Sequence, residues 1–215
     1  MFGNSVMLMA EFKKAEFRMK EVVRKIPLGT GLLVAFLLSV PGLGGAAQIK
    51  GVSFSDEVVV DGLALEIQGV AVLRWGLFFD VYAGALYLPA VQQERGWEED
   101  VAKRLELCYF RPIDAEDFSR TSKKLIKRNL SQEAYRSLEG RLETFCSWFK
   151  DVKRGDRYSI TYLPGSGTAL QLNGQFLGAV PGADFASAYF GIWLGPSPIS
   201  EDFRDRLIGN VSSRP

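Results

Sequence analysis

The chain has 215 residues, 47% of them hydrophobic and 24% charged, with 26 basic against 25 acidic side chains; that is an ordinary globular composition without the charge excess of a polyanion-binding surface. It contains no histidine and only two cysteines, which excludes Ser-His-Asp and Cys-His catalysis and removes the commonest metal ligand. No cofactor, metal ion or nucleic-acid partner is therefore expected.

The first 47 residues read as an N-terminal extension and export signal. Lys20, Arg24 and Lys25 precede an uncharged run from Ile26 to Ile49 whose apolar heart is LLVAFLL, and Gly45 and Ala47 stand where a signal peptidase would cut before Gln48. Eighteen residues precede Met19, so MKEVVRKIPLG is a candidate true start. The alternative is an uncleaved anchor, since about 20 uncharged residues can span a bilayer; Pro41 and the glycines around it disfavour that. Removing 47 of the 215 residues leaves 168, and takes away six basic and three acidic residues, leaving 20 and 22. This expected domain, 48–215, is large enough to bury its own core. Membrane contact is expected only through the leading segment if it is retained, and the expected location is periplasmic.

From Gln48 the pattern is strand-like. VSFSDEVVVDGLALEIQG contains short β-rich runs with a hairpin turn at Asp61-Gly62. VAVLRW and LFFDVYAGALYLP continue the sheet; in the latter a period of two puts Asp80, Tyr82, Gly84, Leu86 and Leu88 on one face and Val81, Ala83, Ala85 and Tyr87 on the other. Both faces are largely apolar, as in an interior strand. RLELCYF alternates again and Pro112 closes it.

Two helices follow. Asp114 precedes AEDFSRTSKKLIKRNL, with Phe118, Ser122 and Leu125 on one face and Lys123, Lys124, Lys127 and Arg128 on a solvated one. Ser131 opens a second helix with Leu138, Leu142, Phe145 and Phe149 as its apolar stripe. RYSITYLPGSGTALQLNGQFLGAV then reads as hairpins turning at Pro164-Gly165 and Asn173-Gly174. Gly165-Ser166-Gly167 lacks the lysine and helix of a phosphate loop, and Arg154-Gly155-Asp156 is a turn. Asp184 is the expected cap of FASAYFGIWL, and Ser200 that of EDFRDRLI. Strands, helices, strands and helices describe an α+β domain, an antiparallel β-sheet with helices packed on one side and an apolar cleft between the layers. The spacing of Cys108 and Cys146 leaves open whether they pair.

The group left without a role is Arg74 with Tyr82 and Tyr87, a permanently charged planar fork and two phenols in an apolar stretch. Arg74 either pairs with Asp80 at the surface or meets an anion. DGLALEIQGVAVLRWGLFFDVYAGALYLP, then YLPGSGT with NGQFLG, then DF…IWLG…P resemble the bacterial exported branch of the chalcone isomerase-like proteins, over about Asp61 to Gly209. The resemblance implies an apolar ligand cleft. In the plant isomerases the arginine matching Arg74 binds the flavonoid, and the partner positions are occupied here by Tyr82, Phe118, Leu125 and Ile192. Their polar groups are absent or changed, which disfavours isomerase turnover. The fatty-acid-binding branch uses an arginine and a tyrosine to hold a carboxylate. Non-catalytic binding of a fatty acid or another apolar carboxylate is therefore the expected function, with Arg74 and Tyr82 at the head group, Tyr87 as the reserve phenol on the opposite strand face, and Phe118, Leu125 and Ile192 along the cleft. A lyase or isomerase acting on a chalcone-like substrate and a non-binding interaction module are the alternatives.

Overall fold

The structure, a computed structural model, describes residues 45–76, 79–90 and 97–209. Residues 1–44 of the expected signal segment lie outside them, and the expected cleavage point after Ala47 falls inside the first described strand. Seven strands form one antiparallel sheet in sequence order: β3 (Glu57–Val60), β4 (Leu63–Trp75), β5 (Phe79–Leu88), β6 (Lys103–Tyr109), β7 (Arg157–Leu163), β8 (Gly167–Leu172) and β9 (Gln175–Val180). Before them β1 (Ala46–Ile49) and β2 (Val52–Ser55) make a separate two-stranded hairpin. Asp61-Gly62 and Asn173-Gly174 both place two successive residues at positive φ (51° and 80°, 51° and 79°), the geometry that a two-residue hairpin joining right-twisted strands requires.

Four helices pack on one face: α1 (Ala115–Asn129), α2 (Gln132–Cys146), α3 (Ala183–Leu194) and α4 (Glu201–Leu207). Helix α3 is buried around most of its circumference, every residue from Phe185 to Leu194 except Ser187, because it lies between the sheet and the amphipathic α1 and α2 rather than over the sheet alone. The α4 ring of Phe203 rests on β5 where Gly84 has no side chain; a Cβ there would stand 2.6 Å from the ring. On the helix side the core gathers Leu73, Tyr82, Leu86, Leu105, Leu107, Tyr109, Tyr158, Ile160 and Tyr162 from alternate strand positions. On the other side Phe54, Leu65, Val72, Ala83, Ala85 and Tyr87 form a smaller cluster with Ile49 and Val52 of the β1–β2 hairpin packed against it.

Beneath that hairpin lies a charged lattice. Glu106 receives Arg104 at 2.9 Å and Arg157 at 2.8 Å, Arg104 also donates to Ser159 and Thr161, and Arg157 donates to the Ser53 carbonyl while stacking 4.6 Å above the Phe54 ring.

Two local expectations are corrected, and the cysteine pairing that the sequence left open is answered. Helix α3 begins at Ala183 with Gly182 as its cap; Asp184 lies inside the first turn, where its carboxylate takes both terminal nitrogens of Arg141 at 2.7 and 2.5 Å. The two-residue alternation of β5 slips at Val81: β4 passes directly from Leu73 to Arg74 where β5 has Val81 between their partners Tyr82 and Asp80, a bulge that turns Val81 toward the helix side. The cysteines are both free and buried, with Cys108 in the hairpin-side cluster and Cys146 in the helix-side cluster, so the sheet separates them.

Candidate functional site

A cavity of about 400 Å³ opens between the sheet and the helices, within the size range of small-molecule sites. Its floor is Leu73 and Tyr82 with Leu107 and Tyr109, cross-strand neighbours of β4, β5 and β6. Helix α1 contributes Phe118, Thr121 and Ser122, and α3 contributes Ile192 and Trp193. Ile113 and Ile199 close it from the loops after β6 and α3. The loop bearing Ile199 is held by α1: Asn129 both donates to and accepts from the Ser197 backbone at 3.0 and 3.1 Å, and Arg128 donates to the Pro198 carbonyl at 2.7 Å.

Polar groups are few inside and charged groups stand at the rim. The Tyr82 hydroxyl accepts the indole N–H of Trp193 at 2.9 Å, so its own proton remains available for donation. Burial pushes the Tyr82 phenol well above its usual range, an effect the Trp193 bond only partly offsets, and burial raises Tyr109 likewise. Both phenols are therefore hydrogen-bond donors near neutral pH and poor bases. Ser122 Oγ lies 3.3 Å from the Tyr189 hydroxyl behind the wall.

Arg74 stands at the rim with its side chain 57% exposed. Its Nε donates to Asp80 Oδ1 at 3.1 Å, and among the described residues that is the only partner of the guanidinium. The other Asp80 oxygen faces Lys50 Nζ at 3.3 Å. Two cations thus share this one carboxylate, while Asp117, which also lines the cleft from α1, is paired with Arg120. Trp75 lies beside Arg74 on the cleft wall.

Of the side chains expected from sequence, Arg74, Tyr82, Phe118 and Ile192 come together at this cleft. Tyr87 does not line it: the pleat turns it to the hairpin side, where it is fully buried and its hydroxyl has no hydrogen-bond partner among the described residues. Leu125 does not line it either, lying one to two turns beyond Phe118 and Ser122 along α1 and buried in the core. Sequence reasoning missed Tyr109, Trp193 and Trp75. Tyr109 had a signal, since it alternates with Leu107 on a strand whose neighbour carries Tyr82; Trp193 had none, because only tertiary packing brings α3 to β5.

Among the described residues no cluster of acidic or cysteine side chains could hold a metal ion. Residues 46–209 match the family model described as chalcone isomerase-like. No curated protein matches the sequence. Among solved structures the fold is similar to the fatty-acid-binding protein of Arabidopsis thaliana, with 16% sequence identity, a TM-score of 0.64, and 77% of this chain and 97% of that chain covered. The matched span takes in the whole sheet and all four helices, and the chain belongs to the chalcone isomerase-like family.

Proposed function

We propose that the protein binds a fatty acid or a similar apolar carboxylate, without transforming it, in the cleft between sheet and helices. The observation that carries this is a largely apolar cavity of about 400 Å³ with Arg74 at its rim and the guanidinium engaged through Nε alone among the described residues. The two remaining nitrogens form the fork that a carboxylate takes through parallel hydrogen bonds, with the Tyr82 hydroxyl as a third donor. The Arabidopsis protein of the same fold is a fatty-acid-binding protein by name, which supports the ligand class. Protonated phenols and a partly paired arginine suit holding an anion better than moving a proton.

In this reading the tail supplies most of the affinity, about 0.8 kcal/mol for each methylene buried, and Arg74 fixes orientation. Calorimetric titration of delipidated protein with a fatty acid and its methyl ester tests it. Arg74→Ala weakens acid binding by about 1.5–3 kcal/mol, the scale of hydrogen bonds to a charged group, leaves ester binding unchanged, and preserves the fold. Equal wild-type affinities for acid and ester remove this role from Arg74; no binding of either removes the function.

A further inference from the structure

Strands β4 and β5 meet at a hairpin end that carries two large uncovered aromatic side chains. Trp75 is 76% exposed and Phe79 57% exposed, and they are cross-strand partners, so they form one continuous patch rather than two scattered apolar residues. Cations surround it. The Arg111 guanidinium lies 5.4 Å from the Phe79 ring centre, Arg74 adjoins Trp75, and Lys50 reaches Asp80 beside them. Among the described residues Asp80 is the carboxylate paired to this group, which leaves two positive charges over. The nearby Arg206 and Asp202 pair with each other, and Arg120 is shared by Asp117 and Glu116. Arg74 and Trp75 also line the cleft, so the patch and the cleft mouth are contiguous.

We propose that this hairpin end docks on an anionic lipid bilayer, with Trp75 and Phe79 at the headgroup boundary, Lys50, Arg74 and Arg111 facing lipid phosphates, and the cleft mouth turned toward the membrane. Tryptophan is at home at that boundary, where an apolar ring and a polar N–H are both satisfied. Each basic side chain near an anionic leaflet adds attraction that salt screens. A protein partner fits less well, because two aromatic side chains offer far less area than the roughly 800 Å² per partner of a stable interface. The docking is separate from the identity of the cleft's ligand.

The test uses the full chain with vesicles of phosphatidylcholine alone or mixed with phosphatidylglycerol, their acyl chains brominated near the headgroup to quench tryptophan. Because the apolar leading segment can itself hold the chain to vesicles, the readout is local: the quenching lost when Trp75 is replaced by phenylalanine. We expect a Trp75-specific quenching component with the anionic vesicles that shrinks with added salt. Phe79→Ser, a change at an exposed site that retains the wild-type circular dichroism, lowers this component about tenfold at limiting lipid. Equal quenching of wild type and Trp75→Phe on anionic vesicles overturns the proposal. So does concentration-dependent self-association that Phe79→Ser abolishes without any Trp75 quenching, which assigns the patch to a second copy. Calorimetric titration of Phe79→Ser with fatty acid, without vesicles, reports on the cleft alone and separates failure of docking from failure of binding.

Discussion

Trp193 donates its indole N–H to the Tyr82 hydroxyl across 2.9 Å, tying helix α3 to strand β5 at the floor of the cleft. Both side chains are more than nine-tenths buried, so bulk water competes little for the bond. Tyr82→Phe leaves the indole N–H unpaired and is expected to cost about 1–3 kcal/mol of stability, read as a lowered urea midpoint with an unchanged slope. Trp193→Phe costs more, because it also removes ring volume from the packed cleft wall.

Tyr87 predicts the opposite behaviour. Its hydroxyl is buried on the hairpin side without a partner among the described residues, so Tyr87→Phe removes an unmet desolvation cost and leaves stability unchanged or raised by about 1 kcal/mol. Fatty-acid affinity should not move, since the sheet stands between this side chain and the cleft. A loss of affinity on titration would return Tyr87 to the binding group.

Glu106 is the hub of the hairpin-side lattice, with its side chain 9% exposed between Arg104 and Arg157. Glu106→Gln leaves Arg104 and Arg157 without their charged partner, though each keeps neutral acceptors, and is expected to cost about 3 kcal/mol, at the lower end for a broken buried pair because Arg157 is partly solvated. Arg157 also holds Ser53 and Phe54. Hydrogen exchange at residues 46–55 should therefore rise before the rest of the sheet loosens.

The dependence of stability on pH follows from three kinds of buried group. Burial pushes the Tyr158 phenol up to about 12 and holds Tyr82, Tyr87, Tyr109, Tyr162 and Tyr189 well above their ordinary value. Above about pH 10 the unfolded tyrosines lose protons that the native ones keep, so stability falls as pH rises. Cys146, raised to about 11 by burial, acts in the same sense from about pH 9. Lys103 acts oppositely: buried beneath the Tyr162 and Phe190 rings and hydrogen-bonded to the Trp97 and Glu99 carbonyls, it is pushed down by burial to about 8. Between there and about 10.4 the unfolded state holds the extra proton and stability rises with pH. The urea midpoint of the wild type should rise from about pH 8 to 9, stay nearly level to about pH 10 and then drop, whereas that of Lys103→Met should lack the rise and begin to fall near pH 9.

Export is the remaining prediction. The positive residues before LLVAFLL, with Gly45 and Ala47 after it, lead us to expect a mature N-terminus at Gln48. Edman sequencing of protein from its native host checks this; a chain retaining Leu32 to Leu38 is an anchored one. Cleavage at that point removes two residues from β1, which pairs Ala46 with Ser55 and Ala47 with Phe54, while Gln48 and Ile49 keep their partners.

The antiparallel sheet and the helices on one side of it were legible in the sequence because their signals are local. Asp61-Gly62 and Asn173-Gly174 dictate hairpin turns through their backbone conformation, and Ser131 and Ser200 cap helices by accepting the N–H groups of Ala134 and Phe203, three residues on. Alternation in β5 correctly assigned Tyr82 and Tyr87 to opposite faces. What the sequence could not determine lies between elements distant along the chain. The bulge at Val81 depends on how β4 pairs with β5, the Trp193 bond on how α3 settles over the sheet, and Tyr109's place in the floor on strand register. Arg74 shows the division most clearly. Its charge, planarity and apolar neighbourhood could be read from sequence, but its pairing with Asp80 and its position at a cleft mouth both depend on tertiary structure. A side chain's chemistry is intrinsic to it, whereas its solvent, partners and neighbouring charges are supplied by residues that only folding brings near.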